Sequence, residues 1–465
     1  MTTATPQSLP DQTPGQILPL TATRDAAGRL CVAGCALPDL AAAYGTPLYL
    51  YDQATLDGMA AAYQAALAAT YPADWEVAYA GKAWLSTTLA RWAAARGLGL
   101  DVVSAGELAI ARQGDFPAER IHFHGNNKTQ AELAAALAAG VGRIVVDHAG
   151  ELAAVDALAR AQGRRQPIWL RINPDVAVDT HGHTRTGHAG SKFGLALADG
   201  TAEATALHAL RLEGVELRGL HCHIGSQFRA AEPLALAVQR LLELAARLRD
   251  LAGWRLAELS PGGGWAVPYL ADQAAGLPAI GAYVATVAQE VAAGCRQRGL
   301  ALPRLVLEPG RSLAARAGVA VYTVGAVKQT GAVTYLFIDG GLADNPRPAL
   351  YQARYSALLA NRLSAERPQR VHVAGPYCET GDVLIQDIDL PPVQAGDLLA
   401  VPASGAYQLS MASNYNAALR PAVVWLAAGE AHLVQRRETV ADLLAREATP
   451  GLTFGPDAAE ADRWP

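Results

Sequence analysis

Apolar and polar positions alternate with a regular rhythm between about Tyr71 and Arg311. Short apolar runs alternate with longer Ala- and Leu-rich stretches, such as Gln130–Ala139 and Pro233–Leu251, in which apolar residues recur at i, i+3, i+4 and i+7. The first pattern predicts buried strands and the second predicts amphipathic helices. Eight runs are predicted as strands: Glu76–Tyr79, Leu98–Val103, Arg120–His124, Arg143–Asp147, Pro167–Ile172, Leu217–His223, Leu256–Ser260 and Leu305–Glu308.

Eight strand–helix units over roughly 240 residues match the size of a (β/α)8 barrel. A doubly wound parallel sheet would show the same alternation and is the alternative architecture. We therefore predict an α/β protein with a TIM-like (β/α)8 barrel over residues 51–311.

After Arg311 the pattern changes to strand-like segments separated by Pro and Gly turns, with little helical period. This texture is typical of a mostly antiparallel β domain, predicted here over residues 312–447. Residues 20–50 are also strand-like and are expected to join it, whereas residues 1–19 and 448–465 are expected to be a flexible leader and a loose tail. The predicted strands are Gly318–Lys328, Thr334–Asp339, Arg370–Ala374, Asp397–Val401 and Ala422–Leu426.

Composition narrows the functional classes. The 465 residues are 51% hydrophobic with a net charge of −5, and no basic block occurs, so nucleic acid and anionic membranes are poor candidate partners. No run approaches the ~18 apolar residues of a membrane span, and the amino-terminal residues lack a signal-peptide pattern. Five scattered cysteines predict reduced thiols in a cytoplasmic protein.

Lysine is scarce. Arg and Lys together number 38, but only Lys82, Lys128, Lys192 and Lys328 are lysines. Arginine cannot replace a primary amine that must lose its proton. Lys82 ends the first predicted strand, where a barrel enzyme builds its site. Taken alone, it is more simply interpreted as a surface lysine closing a strand.

The residues at the ends of the other predicted strands favour a catalytic role for Lys82, because every predicted strand ends in residues that can act in catalysis or binding. Any one of them could be an ordinary loop residue, whereas eight sets in phase indicate one shared site. In strand order they are Lys82; Asp101, Ser104 and Glu107; His124, Asn126, Asn127 and Lys128; Asp147; Arg171 and Asn173; His221, His223 and Ser226; Gly262, Gly263 and Gly264; and Glu308 and Arg311.

The glycines suggest a cofactor. Gly262–Gly264 after strand seven would let backbone amides approach a phosphate, helped by a following helix N-terminus. A lysine that can form a Schiff base, facing a phosphate cradle, suggests pyridoxal phosphate. Glu308 would then keep the pyridine nitrogen protonated. His223 would stack on the ring, although a hydrogen-bonded core histidine is the simpler alternative.

The chain resembles the diaminopimelate decarboxylases, which are pyridoxal-phosphate enzymes with an alanine-racemase-like barrel and a β domain. The matching motifs occur in the family's order from Thr46 to Arg446. They are Tyr79–Ala83, His124–Lys128, Lys192–Gly194, His221–Gln227, Gly262–Gly264, Glu308–Arg311, Asp344–Arg347, Cys378–Asp382 and Gly405–Tyr407.

The resemblance implies a role for each matching residue. Lys82 would bind the cofactor covalently, His223 would stack on it, and Glu308 would pair with its ring nitrogen. Ser226, Tyr407 and the three glycines would hold the phosphate, and Asp101 completes the predicted cofactor-binding set. Cys378 would be the acid that returns a proton to the substrate, so the predicted catalytic residues are Lys82, His223 and Cys378.

The resemblance also implies a homodimer, because the family's Cys378 and Glu379 reach into the partner's site. Two small departures leave the functional atoms in place: Gly81 stands where the family usually has alanine, and Thr380 where it usually has serine. The middle of the 181–187 loop is unusual for the family.

Charge predicts the substrate. Meso-diaminopimelate carries a second amino-acid head, which needs a cation for its carboxylate and an anion for its ammonium. Arg311 and Arg347 offer planar forks for a carboxylate, and Tyr351 lies on the same side as Arg347 if that segment is helical. Glu379 can hold the ammonium, and Tyr407 is included in the substrate set. A surface ion pair is the alternative for Arg347.

The predicted activity is therefore decarboxylation of meso-2,6-diaminopimelate to L-lysine, the last step of lysine biosynthesis. A related decarboxylase for another basic amino acid, such as D-ornithine, D-lysine, ornithine or arginine, is the first alternative. A racemase is disfavoured by Glu308, since that chemistry commonly uses arginine at the ring nitrogen. A catalytically silent cofactor-binding protein is disfavoured because Lys82 and Cys378 are both present.

Overall fold

The computed structural model describes residues 15–176, 190–363 and 368–448. Most of the predicted leader, the 181–187 loop and nearly all of the predicted tail lie outside the described residues. The first described elements are short: β1 (Thr23–Arg24), β2 (Leu30–Val32) and β3 (Cys35–Ala36) form a small antiparallel sheet. They are followed by α1 (Leu37–Tyr44), β4 (Leu48–Asp52) and α2 (Gln53–Thr70).

A closed parallel barrel follows. All neighbouring strand pairs are parallel, and the sheet closes because the last strand pairs with the first, Leu305 opposite Trp75. A short extra strand, β10 (Leu195–Ala196), pairs with β9. The eight barrel strands are β5 (Trp75–Ala80), β6 (Gly99–Val102), β7 (Ile121–Phe123), β8 (Arg143–Val146), β9 (Gln166–Asn173), β11 (Val215–His221), β12 (Glu258–Gly262) and β13 (Arg304–Leu307).

Helices cover the barrel. Three begin at serine or threonine caps, Ser86, Ser104 and Thr129, whose side chains accept the hydrogen bond of a first-turn amide that has no helical partner. The helices after α2 are α3 (Thr87–Ala95), α4 (Ala105–Gln113), α5 (Gln130–Ala139), α6 (Ala149–Ala161), α7 (Thr201–Ala209), α8 (Glu232–Ala252), α9 (Ile280–Arg298) and α10 (Arg311–Ala314).

The remaining elements build a mostly antiparallel β domain. They are β14 (Gly318–Thr330), β15 (Val333–Ile338), α11 (Arg347–Tyr351), β16 (Leu358–Leu359), β17 (Gln369–Ala374), β18 (Val383–Leu390), β19 (Leu398–Val401), β20 (Ala422–Ala427), β21 (Glu430–Gln435) and α12 (Val440–Leu444). The main sheet has the order β18-β17-β15-β14-β4-β20-β21, in which β15–β17 and β4–β20 are parallel and the other pairs are antiparallel.

The predicted fold class is confirmed. Each of the eight predicted barrel strands coincides with a strand of the closed barrel, and the five predicted β-domain strands correspond to β14, β15, β17, β19 and β20. The strand β4 lies between β14 and β20. Leu18, Leu30 and Leu48 share a buried core with Val319 and Leu426. The segment before the barrel therefore packs with the β domain, but it is not strand-like throughout: Leu37–Tyr44 forms the helix α1, and β1–β3 form a small sheet of their own.

Candidate active site

The carboxyl ends of the barrel strands surround a cavity of about 400 Å³. Lys82, His223, Glu308 and Tyr407 all line it. A second cavity of about 730 Å³ shares Lys82, His223 and Tyr407 with the first and extends to α11. The two cavities form one candidate site, with a barrel end and an end at the β domain.

Lys82 follows β5 in a single tight turn, Gly81–Ala83. A Cβ at Gly81 would lie 2.7 Å from the carbonyl oxygen of Asp101, so the turn packs closely against β6. Lys82 lines both cavities. Burial, and next the charge of Lys82, holds the pKa of His223 well below its usual value, so His223 is a neutral ring beside the amine.

Glu308 is buried among groups that hold its two oxygens. One oxygen, Oε1, accepts a hydrogen bond from the Ser260 hydroxyl at 2.5 Å, and Oε2 lies 3.0 Å from Nε2 of His221. Burial, followed by the charge of Asp101, raises the pKa of Glu308 to about 7. Burial also lowers the pKa of His221 far below its usual value. Glu308 is therefore a carboxylate whose charge depends on what faces it.

Asp101 lines the cavity and contacts two histidines. His122 Nδ1 lies 3.2 Å from its Oδ1, and His124 Nε2 lies 3.5 Å from the same oxygen. Burial alone would raise the pKa of Asp101, but His124 and His122 outweigh it and lower that pKa. Asp101 is consequently a fixed negative charge beside Glu308.

The glycine turn after β12 is closely packed. A Cβ at Gly263 would lie 2.1 Å from the carbonyl oxygen of Glu308, and Gly264 has a φ of +112°. Gly264 lines the cavity, whereas Gly262 and Gly263 pack against neighbouring backbone. The expected helix N-terminus does not directly follow, since the next described α-helix begins at Ile280. A phosphate here would depend on the turn itself and on nearby side chains.

Ser226 and Tyr407 meet at Arg311. Arg311 donates from Nε and Nη2 to the Ser226 hydroxyl at 3.3 and 3.2 Å, and its guanidinium lies 4.5 Å from the centre of the Tyr407 ring. All three residues line both cavities. Arg311 thus lies where the two cavities join.

The segment that carries Arg347 and Tyr351 is a helix, α11, so the two side chains share a face and both line the larger cavity. The Arg347 guanidinium donates to the Tyr355 hydroxyl and lies 4.8 Å from the centre of the Tyr269 ring. The interactions of Tyr269 and Tyr355 raise the pKa of Arg347 despite its burial.

Cys378 and Glu379 are exposed and line neither cavity of this chain. The Cys378 amide donates to Asn416 at 3.3 Å, and the Tyr415 hydroxyl donates to Glu379 at 3.5 Å. The other predicted site residues lie in or directly behind the two cavities. A single chain therefore brings together all predicted site residues except these two.

Two aromatic residues of the site, Tyr269 and Tyr355, belong to none of the motifs found in the sequence. Tyr269 lies in the loop after strand seven, and its ring meets that of Tyr355 edge to face at 5.2 Å. Position offered the only signal for Tyr269, because a loop at the carboxyl end of a barrel strand belongs to the active-site face. Tyr355 lies in the β domain, where the barrel rule gives no guidance.

The cavity fits pyridoxal phosphate. Nε2 of His124 is buried and, apart from its 3.5 Å contact with Oδ1 of Asp101, has no hydrogen-bond partner. One atom each from His124, His221 and Glu308 lie within 4.8 Å of one another. The buried carboxylate of Glu308 in this cluster would match the charge of a protonated ring nitrogen. Lys82 supplies the amine, and Ser226 with Gly264 supplies donors for a phosphate.

Comparisons with known proteins show what this chain is similar to. Residues 57–315 match the sequence model of the pyridoxal-dependent decarboxylase family, pyridoxal binding domain. The chain is 41% identical over 444 residues to a diaminopimelate decarboxylase of Corynebacterium efficiens, covering 94% of this chain and 95% of that protein. It is 44% identical over 419 residues to one from Bacillus subtilis, covering 90% and 94%. A crystal structure of diaminopimelate decarboxylase from M. jannaschii with L-lysine superposes with a TM-score of 0.87 at 33% identity, covering 93% of this chain and 98% of that one.

Proposed function

Because the chain belongs to the diaminopimelate decarboxylases, within the pyridoxal-dependent decarboxylases, we propose that it converts meso-2,6-diaminopimelate to L-lysine and CO2, the last step of lysine biosynthesis. The observation that carries the proposal is the pair of buried arginines, Arg311 and Arg347, in the cavity that opens from Lys82. An amino acid without a second carboxylate would leave both cations without an anionic partner.

Pyridoxal phosphate, when bound, supplies the electron sink that stabilises the carbanion left as CO2 departs. The Lys82 amine would hold the cofactor covalently, and His223 would stack against its ring. Glu308 would hold a proton at the ring nitrogen, assisted by Asp101. Ser226, Tyr407 and the turn Gly262–Gly264 would hold the phosphate.

The larger cavity binds the far end of the substrate. Arg311 and Arg347 bind the distal carboxylate, and Tyr351 and Tyr407 flank it. This selects a substrate with an amino-acid head at each end. The product L-lysine keeps that distal head, because CO2 leaves from the other end of the substrate, which lies near Lys82.

The remaining residues come from a second copy of the chain. We propose a homodimer in which the partner subunit supplies Cys378 to return a proton from its Sγ to the substrate's α-carbon, and Glu379 to bind the distal ammonium. The exposure of both residues, outside the cavities of their own chain, supports this arrangement.

We further propose that the enzyme works in the cytoplasm. All five cysteines are free thiols, the form that a reducing compartment maintains. Among the described residues, no helix is long and apolar enough to cross a bilayer.

The decisive experiment is a CO2-release assay with meso-diaminopimelate and added pyridoxal phosphate, with the amino-acid product identified by chromatography. We expect one molecule of L-lysine for each molecule of CO2 released. D-ornithine, D-lysine, ornithine and arginine are assayed in parallel at equal concentration. A higher kcat/KM for any of these four than for meso-diaminopimelate would contradict the proposal.

A further inference from the structure

Two buried arginines in the larger cavity share one phenol. Arg311 is 9% exposed and Arg347 is 6% exposed. Arg311 donates from Nη1 to the Tyr269 hydroxyl at 2.6 Å, and Arg347 lies against the face of the same ring at 4.8 Å. The second phenol, Tyr355, accepts a hydrogen bond from Arg347.

Neither arginine forms an ion pair with a carboxylate of the described residues. Their hydrogen-bond partners are the hydroxyl groups of Ser226, Tyr269 and Tyr355. Two buried cations at such close range are costly unless something nearby carries or accepts negative charge. Among the described residues, the Tyr269 phenol contacts both arginines and can carry that charge.

We propose that Tyr269 is a positioning residue for the distal carboxylate of the substrate. It holds Arg311 and Arg347 in place in the substrate-free enzyme, and the carboxylate replaces it as the partner of the two arginines when the substrate binds. The inference rests on the proposed function, because it takes the two arginines as the distal carboxylate site.

The electrostatics of the pocket make this role depend on pH. Tyr269 faces Arg311, Arg347 and the Tyr355 ring, and the same cavity is lined by the cations Lys82, Lys192 and Arg354 and by His223. No carboxylate among the described residues lines that cavity. Burial alone would raise the pKa of Tyr269, but the charges of Arg311 and Arg347 outweigh it and lower that pKa. The pKa of Tyr355, in contrast, is raised by its burial.

The sign of the pH effect follows from competition. Below the pKa of Tyr269 the phenol is neutral and the arginines are available to a carboxylate. Above that pKa a phenolate neutralises them, and a carboxylate binds only if the phenolate takes up a proton. The affinity for a carboxylate ligand should therefore fall by up to about tenfold per pH unit above the pKa of Tyr269.

Two ligands separate the carboxylate from the rest of the molecule. L-lysine carries the distal head, whereas cadaverine is the same diamine chain without that carboxylate. Dissociation constants for both are measured by calorimetry on the cofactor-loaded enzyme from pH 6.5 to 9.5. The proteins compared are wild type, Tyr269→Phe and Tyr355→Phe. Tyr355→Phe is the matched control, because it removes a phenol from Arg347 and keeps Tyr269.

We expect wild type and Tyr355→Phe to lose L-lysine affinity with rising pH more steeply than Tyr269→Phe. At each pH, the dissociation constant of wild type or Tyr355→Phe is divided by that of Tyr269→Phe. Protonation of L-lysine itself affects all three proteins equally and therefore cancels in this ratio. Cadaverine should show no such difference. Tyr269→Phe should also weaken L-lysine about threefold to tenfold at neutral pH, and should raise KM for meso-diaminopimelate more than it lowers kcat.

The outcomes are distinguishable. Equal pH dependence of L-lysine binding in wild type and Tyr269→Phe, with L-lysine still preferred over cadaverine, would overturn the role of Tyr269 and leave the proposed function standing. If wild type does not distinguish L-lysine from cadaverine at any pH, the arginine pair is not the distal carboxylate site. That result would overturn the proposed substrate as well.

Discussion

At the scale of single residues, the site consists of buried groups whose charges depend on one another. Glu308 has a pKa raised by burial, while its neighbour Asp101 has a pKa lowered by two histidines. His221 and His223 are both kept neutral, mainly by burial. Burial and neighbouring charges therefore set the protonation state of each group in the cavity, as cofactor chemistry requires.

Lys82 gives the first prediction. Lys82→Ala should abolish turnover and the visible absorbance of the protein loaded with pyridoxal phosphate, because no amine remains at the end of β5. After borohydride treatment, mass spectrometry should find no cofactor attached. Lys192→Ala is the matched control, since Lys192 lines the larger cavity, and it should keep the covalent label. A label on the Lys82→Ala protein would refute the assignment.

Arg347 gives a second prediction, on substrate recognition. Arg347→Ala removes one of the two cations that we propose bind the distal carboxylate, so kcat/KM for meso-diaminopimelate should fall by about 100-fold or more, corresponding to about 3 kcal/mol or more. The dissociation constant of pyridoxal phosphate, measured by fluorescence, should change much less. Equal losses in both measurements would mean that Arg347 is structural.

Glu308 gives a prediction for the cofactor-free protein. Its pKa in the folded state is raised from 4.5 to about 7, so its contribution to stability is present at low pH and is lost as pH rises through that range. Glu308→Gln cannot ionise. The difference in thermal unfolding midpoint, variant minus wild type, should therefore increase as pH rises from about 5 to about 8. Glu213→Gln, at an exposed position, should follow wild type.

At the scale of secondary-structure elements, each barrel strand ends in a loop that delivers polar side chains to one face. The caps Ser86, Ser104 and Thr129 start helices soon after β5, β6 and β7, respectively, which keeps these loops short. The turn after β12 is closed by glycine packing, because a Cβ at Gly263 would clash with the Glu308 carbonyl. The position of Glu308 and the glycine turn are therefore coupled through backbone contact.

Gly263 tests that coupling. Gly263→Ala must push the turn away from β13, so we expect at least about tenfold weaker binding of pyridoxal phosphate and a loss of about 1–3 kcal/mol in stability. Gly281→Ala is the control, since a Cβ there meets nothing within 4 Å in the first turn of α9. It should bind the cofactor normally and be as stable as wild type or slightly more stable. Normal cofactor affinity in Gly263→Ala would contradict the coupling.

At the scale of the whole molecule, the site joins two domains. The barrel supplies Lys82, His223 and Glu308, whereas α11 of the β domain supplies Arg347 and Tyr351 to the larger cavity. The strand β4 ties the chain before the barrel into the β-domain sheet. Both cavities draw on both domains, because Tyr407 of the β domain lines the barrel end and Arg311 of the barrel lines the larger cavity; residues of the two domains share one core.

The proposed dimer can be tested by complementation. Lys82→Ala and Cys378→Ser should each be inactive alone. If every site combines Lys82 of one subunit with Cys378 of the other, half of the subunits pair as heterodimers with one intact site each. An equimolar mixture, refolded together, should then recover about a quarter of wild-type activity. Sedimentation velocity checks that both variants are dimers, and no recovery from dimeric mixtures would refute shared sites.

The sequence by itself determined the barrel and most of the first cavity. Parallel strands buried on both faces are continuous apolar runs, and the barrel rule then places Lys82, His223 and Glu308 at one end. The β-domain strands β18 and β21 were missed, because polar side chains alternate or dominate along them, as in Gln386–Asp389. Such edge strands lack the apolar signal on which the prediction depends.

Only the tertiary structure decided how the two domains share the site. The pairing of Arg311 and Arg347 on Tyr269 joins residues far apart in the chain, and no local pattern encodes their distance. The same holds for the charge of Glu308, which depends on burial and on Asp101, two strands away in the barrel. Sequence periodicity records which face of an element is apolar, whereas distances and electrostatic fields arise only once those faces have packed.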